Sequence, residues 1–275
     1  MTAPFAIPNH PGNYRLPCPQ CQKGPRDTAL SCTVKPDGKT VYLCFRCGLS
    51  GADGQIRPGE IQQRPPRKRD TTDKTERARR LIERARPAKD TLAERYLKSR
   101  GLTLPNGNPL LFTSEAFHWP TGLELPCMIA PIIDIHDNQA QAAHCTFLKS
   151  DGTGKAGVCT PRLYLGPKSG GCVKLTPDED VTLGLALAEG IETALVGVAA
   201  RYPTWACLDA GNMAAFPVLD GITSLTVLAD NDDAGMKAAG EVAKRWKAAG
   251  KRVRVIEPPE PGQDWNDVIQ GDQNG

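Results

Sequence analysis

Two short segments of the chain hold residue types that could do chemistry. LALAEGIETAL (residues 185–195) sets Glu189 directly after an apolar run, and LADNDDAG (residues 228–235) sets Asp230 and Asp232 just past another. Short apolar runs bounded by turn residues read as buried strands, and strands that end in carboxylates collect negative charge along one edge of a sheet. Two unit charges about 4 Å apart repel by roughly 4 kcal/mol at an effective dielectric of ~20, so such a cluster wants a cation. Hard oxygen donors with room for water and phosphate favour Mg²⁺ or Mn²⁺. The pattern implies metal-dependent chemistry on a phosphate-bearing substrate. Gly190 is expected to permit a sharp strand-to-helix turn that leaves Glu189 exposed. Asp230 and Asp232 are two apart, which points them the same way in an extended segment. Asp233 is out of phase with them and is expected to cap the following helix. GQDWNDVI (residues 262–269) adds Asp264 and Asp267 as candidates for a second metal position. Any one of these carboxylates alone also reads as a helix cap or a surface charge.

The cysteines offer a second chemistry. Cys18-x-x-Cys21 and Cys44-x-x-Cys47 stand twenty-two residues apart, and Gly48 follows the second pair. Each CxxC makes a tight knuckle that presents two thiolates, and two knuckles joined by a hairpin give the four-sulfur zinc site of a zinc ribbon. A segment of about 50 residues has too little core to fold unaided. Structural zinc supplies ~10–16 kcal/mol of apparent folding free energy. A redox pair would need only one CxxC. Cys32 falls in the long hairpin and His10 lies nearby, read as a core thiol and a surface residue.

Length and composition bound the frame for these sites. The 275-residue chain is 40% hydrophobic, enough for one large domain or a domain plus a small module. Its formal net charge of +3 is unevenly spread, with basic residues outnumbering acidic ones from Arg57 to Arg100. A basic arm beside an acidic edge suits a polyanionic partner, although a solvated linker and helix face would look similar. MTAPFAIPNHPG contains no apolar run of the signal-peptide kind, and no run approaches the ~20 residues of a membrane span. A soluble, cytoplasmic protein is expected. Ten cysteines without an export signal argue for metal rather than disulfides.

Three regions separate along the sequence. Residues 1–55 are rich in Cys, Gly and Pro with short strand-like pieces, expected as an all-β zinc ribbon. Residues 56–73 are polar and basic, hence a flexible linker. TERARRLIERA and LAERYLKSRGL follow as helical patterns, the second ended by Gly101. Residues 110–175 alternate apolar runs and turns as an antiparallel sheet does. From Val181 the rhythm becomes strand, helix, strand, helix. VTLGLALA, TWACL, SLTVLA and KRVRVIEP read as strands, and AGMKAAGEVAKRWKAAG as a helix with Ala239, Val242 and Trp246 on one face. Such alternation predicts a parallel sheet flanked by helices, with the functional crevice outside the carboxyl ends of its strands. Glu189 and Asp230 fall there. The expected fold class is α/β, preceded by an α+β subdomain and the ribbon.

EGIETA and LADNDDAG resemble the two signature motifs of the Toprim fold, shared by primases, topoisomerases, some nucleases and recombination mediators. LAERYLKSRGL (92–102), APIIDIHDNQAQAAHCTFLKSDGTGKA (130–156), PRLYLGPKSGGCVKL (161–175), AGN (210–212) and DWND (264–267) resemble the primases of bacteriophages and mobile elements. The cysteine motif with CFRCGLSG is similar to the zinc-binding domain of those enzymes. Bacterial replicative primases usually have a His among their zinc ligands, whereas this chain offers four Cys. Position 192 is Glu where many Toprim sequences carry Asp.

The resemblance implies a primase core whose N-terminal part spans residues 74–180 and whose Toprim catalytic domain spans 181–275. It implies that Glu189, Asp230 and Asp232 hold Mg²⁺ while a ribonucleotide 3′-hydroxyl attacks an incoming nucleoside triphosphate. Lys149, Lys155, Arg162 and Lys174 would line the face where single-stranded DNA template and ribonucleoside triphosphate enter, although each alone also reads as an ordinary surface residue. Tyr42 and Phe45 could stack on template bases or pack inside the ribbon. DGTGKAG (151–157) has Lys149 where a P-loop needs glycine and Ala156 where it needs Ser or Thr, so a separate helicase is expected as partner. A Toprim nuclease would use the same ligands with water as nucleophile. A non-enzymatic recombination mediator would need a helix–hairpin–helix, for which the seventeen residues before Cys18 are too few.

Overall fold

The computed structural model describes residues 10–21, 28–44, 47–52, 55–57, 71–260, 265 and 268. The chain divides into two compact units, residues 1–69 and 70–275.

The small unit is an antiparallel meander of five strands in sequential order: β1 (Gly12–Leu16), β2 (Leu30–Val34), β3 (Thr40–Cys44), β4 (Ser50–Ala52) and β5 (Gln55–Arg57). Period-two alternation fixes its inner face. Leu30 and Cys32 of β2 and Tyr42 and Cys44 of β3 turn inward and pack with Cys18 and Leu49. The β2–β3 hairpin closes at Gly38, whose φ of +79° suits a residue without Cβ. Among the described residues its core holds six buried side chains, too few to stand alone.

The large unit is built on one ten-stranded sheet. It opens with α1 (Thr71–Arg84), β6 (Arg86–Pro87) and α2 (Leu92–Ser99). An antiparallel half follows: β7 (Leu111–His118), β8 (Leu123–Asp134), β9 (Ala140–Phe147), β10 (Arg162–Leu165) and β11 (Gly171–Lys174). Beyond a 3₁₀ turn at Asp178–Val181 comes the parallel half: β12 (Leu185–Ala188), α3 (Ile191–Ala199), β13 (Thr204–Ala206), α4 (Ala210–Ala215), β14 (Ser224–Leu228), α5 (Asp233–Ala248) and β15 (Arg252–Ile256). The strand order is β10-β9-β8-β11-β13-β12-β14-β15, with β7 along the first half of β8 and β6 along β7. Strand β11 joins the halves, antiparallel to both β8 and β13. The predicted α/β class, with its antiparallel forepart and parallel core, is the observed architecture.

Alternation along β8 and β9 sends successive side chains to opposite faces. Cys127, Ile129, Ala143, Cys145 and Phe147 pack beneath α1 with Ala78, whereas Met128, Ala130, Ile132 and Ala142 pack with Tyr96 and Leu97 of α2 and with α3. On the parallel half, α5 buries Ala239, Val242 and Trp246 completely. Gly197 is required in α3, because a Cβ there would lie 2.6 Å from both Leu228 Cδ1 and Thr204 Oγ1.

Some element ends differ from expectation. Ile56 and Arg57 are paired in β5 and α1 begins at Thr71, so the expected linker is trimmed at both ends; residues 58–70 lie outside the described set. The run VTLGLALA is a strand only over LALA, because Val181 already belongs to the 3₁₀ turn. Gly101, at φ +74°, ends α2 as expected.

Candidate functional site

Cys18 and Cys21 stand in the turn after β1, while Cys44 ends β3 and Cys47 follows it. Their four sulfurs lie within 4.8 Å of one another. Cys18 Sγ is 3.7 Å from Cys47 Sγ, and Cys21 Sγ is 3.8 Å from Cys44 Sγ. A tetrahedral ion with bonds of about 2.3 Å holds its sulfurs about 3.8 Å apart, so this set fits Zn²⁺. The first knuckle is closed by the Cys21 amide donating to Cys18 Sγ at 3.4 Å, the second by the Gly48 amide donating to the Cys44 carbonyl at 3.0 Å. Burial raises the Cys18 pKa, and the crowding of Cys47 above all pushes Cys21 up to about 12. Thiols packed this closely resist ionising together until a dication joins them. Cys32 is a buried core thiol and His10 is exposed. Tyr42 is buried inside the ribbon, so it offers no stacking face; Phe45 lies outside the described residues.

The second site sits at the carboxyl ends of the parallel strands. Strands β12 and β14 pair in parallel with Ala188 opposite Leu228, so Glu189 and the Asp230–Asp232 segment leave the sheet at the same edge. The carboxyl of Glu189 is held above its ordinary pKa, first by partial burial and then by the charges of Asp230, Asp232 and Asp209. Like charges therefore do meet here. Among the described residues, however, only the cysteines bring three or more ligand atoms within 4.8 Å, so the acids form an open edge and not a closed cage. An open carboxylate edge suits Mg²⁺, which keeps several waters and takes substrate phosphates as ligands. Asp264 and Asp267 lie outside the described residues, but Trp265 between them donates its indole N–H to the Ala229 carbonyl at 3.0 Å, beside Asp230.

Two local expectations are corrected. The helix cap is Asp232, whose Oδ1 accepts from the Gly235 amide at 2.7 Å; Asp233 is already the first residue of α5. Asp232 has the extended backbone a capping residue needs (φ −128°, ψ 166°), which leaves one carboxylate oxygen outside the cap bond. Gly190 has φ −99°, open to any residue, so the turn after β12 does not require glycine. Gly235 is the glycine the site requires, because a Cβ there would lie 2.6 Å from the Asp230 carbonyl oxygen.

A third strand brings Asp209 to the same edge, a residue that sequence reasoning passed over. It stands three residues past β13 and directly after the apolar run TWACL, and that placement was the available signal. Asp209 caps α4 through the Asn212 amide at 2.8 Å and is ion-paired with Lys168. Leu208, just before it, has φ +78°, a conformation costing about 1–3 kcal/mol in a residue of this type. Its amide donates to the Glu189 carbonyl at 2.7 Å, and its carbonyl accepts from the Tyr164 hydroxyl at 3.1 Å. Asn212 ties the Lys168 loop down, donating to the Gly171 and Cys207 carbonyls at 2.6 and 2.8 Å and accepting from the Gly170 amide.

Beside this edge a cavity of about 40 Å³ is lined by His144, Thr146, Arg162, Tyr164, Glu192 and neighbours. Burial alone would raise the Glu192 pKa, but the Tyr96 hydroxyl that donates to it, with Lys155 and Arg162, lowers it on balance. Lys155 is 3.5 Å from Glu192. Burial, then Arg162 and the neighbouring lysines, hold His144 down to about 4, so its ring is neutral at neutral pH. Lys155 and Arg162 thus stand near the acidic edge, as does Lys168, while Lys149 is exposed in the turn leading to Lys155. Lys174 does not join them. It pairs with Asp178 at 2.6 Å, bonds Asn138 at 2.9 Å and covers the Trp205 ring, and its register opposite Trp205 sets it back from the edge.

Comparison with known families follows the same division. Residues 184–274 match the family described as the Toprim domain. The C-terminal part of this chain has a Toprim-type fold. Residues 72–175 match a domain of unknown function (DUF7146). No curated protein matches the chain closely enough in sequence to stand as a relative. Among solved structures, the zinc-binding and RNA polymerase domains of Aquifex aeolicus primase share 16% identity, with 97% of this chain and 77% of that one covered at a TM-score of 0.51. A DNA primase domain from Pseudomonas aeruginosa (17% identity, 72% and 74% covered, TM-score 0.48) and the primase fragment of the bacteriophage T7 primase-helicase protein (16%, 95% and 96%, 0.47) are weaker matches. The Aquifex likeness shows the fold alone: a small antiparallel β unit followed by a core built on one mixed sheet.

Proposed function

We propose that the protein is a DNA primase that makes short RNA primers on single-stranded DNA during phage or mobile-element replication. The observation that carries this reading is the parallel register of β12 and β14, which delivers Glu189, Asp230 and Asp232 to one edge with Lys155, Arg162 and Lys168 close by. Acids alone would repel a triphosphate, and cations alone would bind it without chemistry.

Glu189, Asp230 and the free oxygen of Asp232 would hold divalent ions, with Asp264 and Asp267 as further candidate ligands. A bound Mg²⁺ or Mn²⁺ supplies the lowered hydroxyl pKa and the neutralised phosphate charge that nucleotidyl transfer needs. Arg162, Lys155 and Lys168 then position the phosphates, and the Asp209–Lys168 pair keeps that lysine oriented toward the edge. The 3′-hydroxyl of one ribonucleotide attacks the α-phosphorus of the next, pyrophosphate leaves, and the hydroxyl proton passes to solvent. The four-cysteine ribbon, loaded with zinc, would hold template DNA. A separate helicase would open the duplex, and a cytoplasmic location follows from that partnership. No helix among the described residues is long and apolar enough to cross a membrane.

Labelled ribonucleotides supplied with single-stranded DNA and Mg²⁺ or Mn²⁺ test the reading. Wild type is expected to make short oligoribonucleotides, and Asp230→Ala to lose at least ~100-fold of that activity, since a metal-bound carboxylate contributes several kcal/mol to the transition state. Cleaved template without oligomers would replace the primase by a Toprim nuclease using the same acids. Binding without either chemistry would leave a mediator.

A further inference from the structure

The antiparallel half presents a groove on the face opposite the acidic edge. Strand β9 shows the opposition directly: His144 and Thr146 line the small cavity beside Glu192, whereas Cys145 and Phe147 line a groove of about 340 Å³ on the other side. The groove runs between α1 and the β7–β8 hairpin. Its walls are Arg77, Arg80 and Arg84 on one side and Phe117 and Trp119 on the other.

Two features of these walls stand out chemically. Phe117 is 53% exposed and Trp119 42%, while Trp205 and Trp246 are buried at 3% and 0%. Large aromatic rings left in water beside an apolar floor have unspent stacking surface. The three arginines occupy positions i, i+3 and i+7 of α1, hence one face of the helix, spread over about 10 Å. Arg80 is partly offset by Glu76 at 3.1 Å, and Glu115 is the acid in the lining. Arg77 and Arg84 form no ion pair among the described residues. The lining is therefore net positive, with rings across from the charges.

We propose that this groove is a second binding track for single-stranded nucleic acid, with bases stacked on Phe117 and Trp119 and phosphates set against Arg77, Arg80 and Arg84. Rings opposite a row of cations match a strand that carries π-faces on one side and phosphates on the other. An acidic peptide would use the arginines but leave both rings without a partner. Strand β10 contributes to both faces, Arg162 and Tyr164 to the acidic side and Leu165 to the groove, so a strand on the two tracks passes round this outermost strand. The proposal holds whether the acidic edge makes or cuts nucleic acid.

The test is fluorescence anisotropy of a labelled oligothymidylate bound to the full chain without divalent ions, across a salt series. In Arg77→Ala/Arg80→Ala/Arg84→Ala the affinity is expected to fall at least about tenfold, and the slope of log K against log salt to shrink by about 2, from ~0.7 per phosphate contact. Trp119→Ala should lose about tenfold with the slope unchanged, and Trp119→Phe should recover most of it. Tryptophan quenching on binding should vanish in Trp119→Ala. Because the titration contains no divalent ion, its outcome does not depend on the chemistry at the acidic edge. Wild-type affinity and slope in both the arginine and the Trp119→Ala variants overturn the proposal. So does gel filtration showing that these variants break an oligomer while keeping their affinity, since the groove would then be a subunit contact.

Discussion

The thiols of the small unit and the carboxylates of the large one face the same electrostatic problem and meet it at different distances. Four sulfurs are drawn within 4.8 Å, at the spacing of a closed tetrahedral site. The acids converge enough for Asp230 and Asp232 to raise the Glu189 pKa, yet they stop short of a cage. Among the described residues the ribbon has six buried core residues, and its four thiols are all drawn to one point, the arrangement of a donor set that would be committed to a single structural ion. The parallel sheet is stabilised by Trp246, Leu187, Val227 and their neighbours, so its acids can stay open to water and substrate. The thiol cluster is itself part of its unit's core, whereas the acidic edge is carried by a core that is complete without it.

That contrast can be broken or sharpened by measurement. The largest effect is expected in Cys44→Ser, which should release zinc and unfold the small unit, forfeiting apparent folding energy of ~10–16 kcal/mol. Metal analysis with limited proteolysis should show an intact fragment from about residue 70 onward, and loss of that fragment would mean that the units are not independent. Next comes acid stability of the large unit. His144 titrates near 4 in the fold against 6.5 when unfolded, so the unfolded chain takes up the proton first. Stability should be full above pH 6.5 and fall by about 3 kcal/mol as pH drops to 4, levelling below that. Urea titrations of His144→Leu should show a flatter profile across the same window. A smaller loss, about 2 kcal/mol, is expected in Asn212→Ala, which strands the Gly171 and Cys207 carbonyls. Its Tm should fall, and its affinity for inorganic triphosphate should fall with it as the Lys168 loop loosens. The smallest effect is a gain. Glu189, raised first by burial and then by its acidic neighbours, costs stability above its shifted pKa, so Asp230→Asn should slightly stabilise the metal-free protein. Adding Mg²⁺ should raise the Tm of wild type and leave that variant unchanged; an equal response in both would remove Asp230 from the metal site.

The legible parts of this protein were those whose cause is local. A CxxC spacing closes a knuckle within four residues, and Cys18, Cys21, Cys44 and Cys47 come together as their spacing implied. Alternating and helical periods announced the antiparallel forepart, the parallel core and the buried face of α5. Glu189 and Asp230 could be placed because a residue directly after a buried strand must emerge at a sheet edge. Local rules also misfired by one residue: phase favoured Asp233 as the cap, whereas the backbone turned at Asp232.

Asp209 and Lys168 were missed because their meaning depends on strand order. Strand β13 lies beside β12 only after a crossover, and the Lys168 loop reaches that edge only because Asn212 binds it from α4. His144 reads as one polar residue in an apolar run until the fold sets it in the cavity it shares with Ile191, Glu192 and Arg162, where it is buried. Lys174 resembles its basic neighbours in sequence, and only the register of β11 against β13 turns it away to Asp178. The sequence alone determined which residues emerge from strand ends and knuckles, because those outcomes follow from chain geometry over a few residues. The tertiary structure alone decided which of those groups share a site and in what charge state, because contact, burial and pKa arise between segments far apart in the chain.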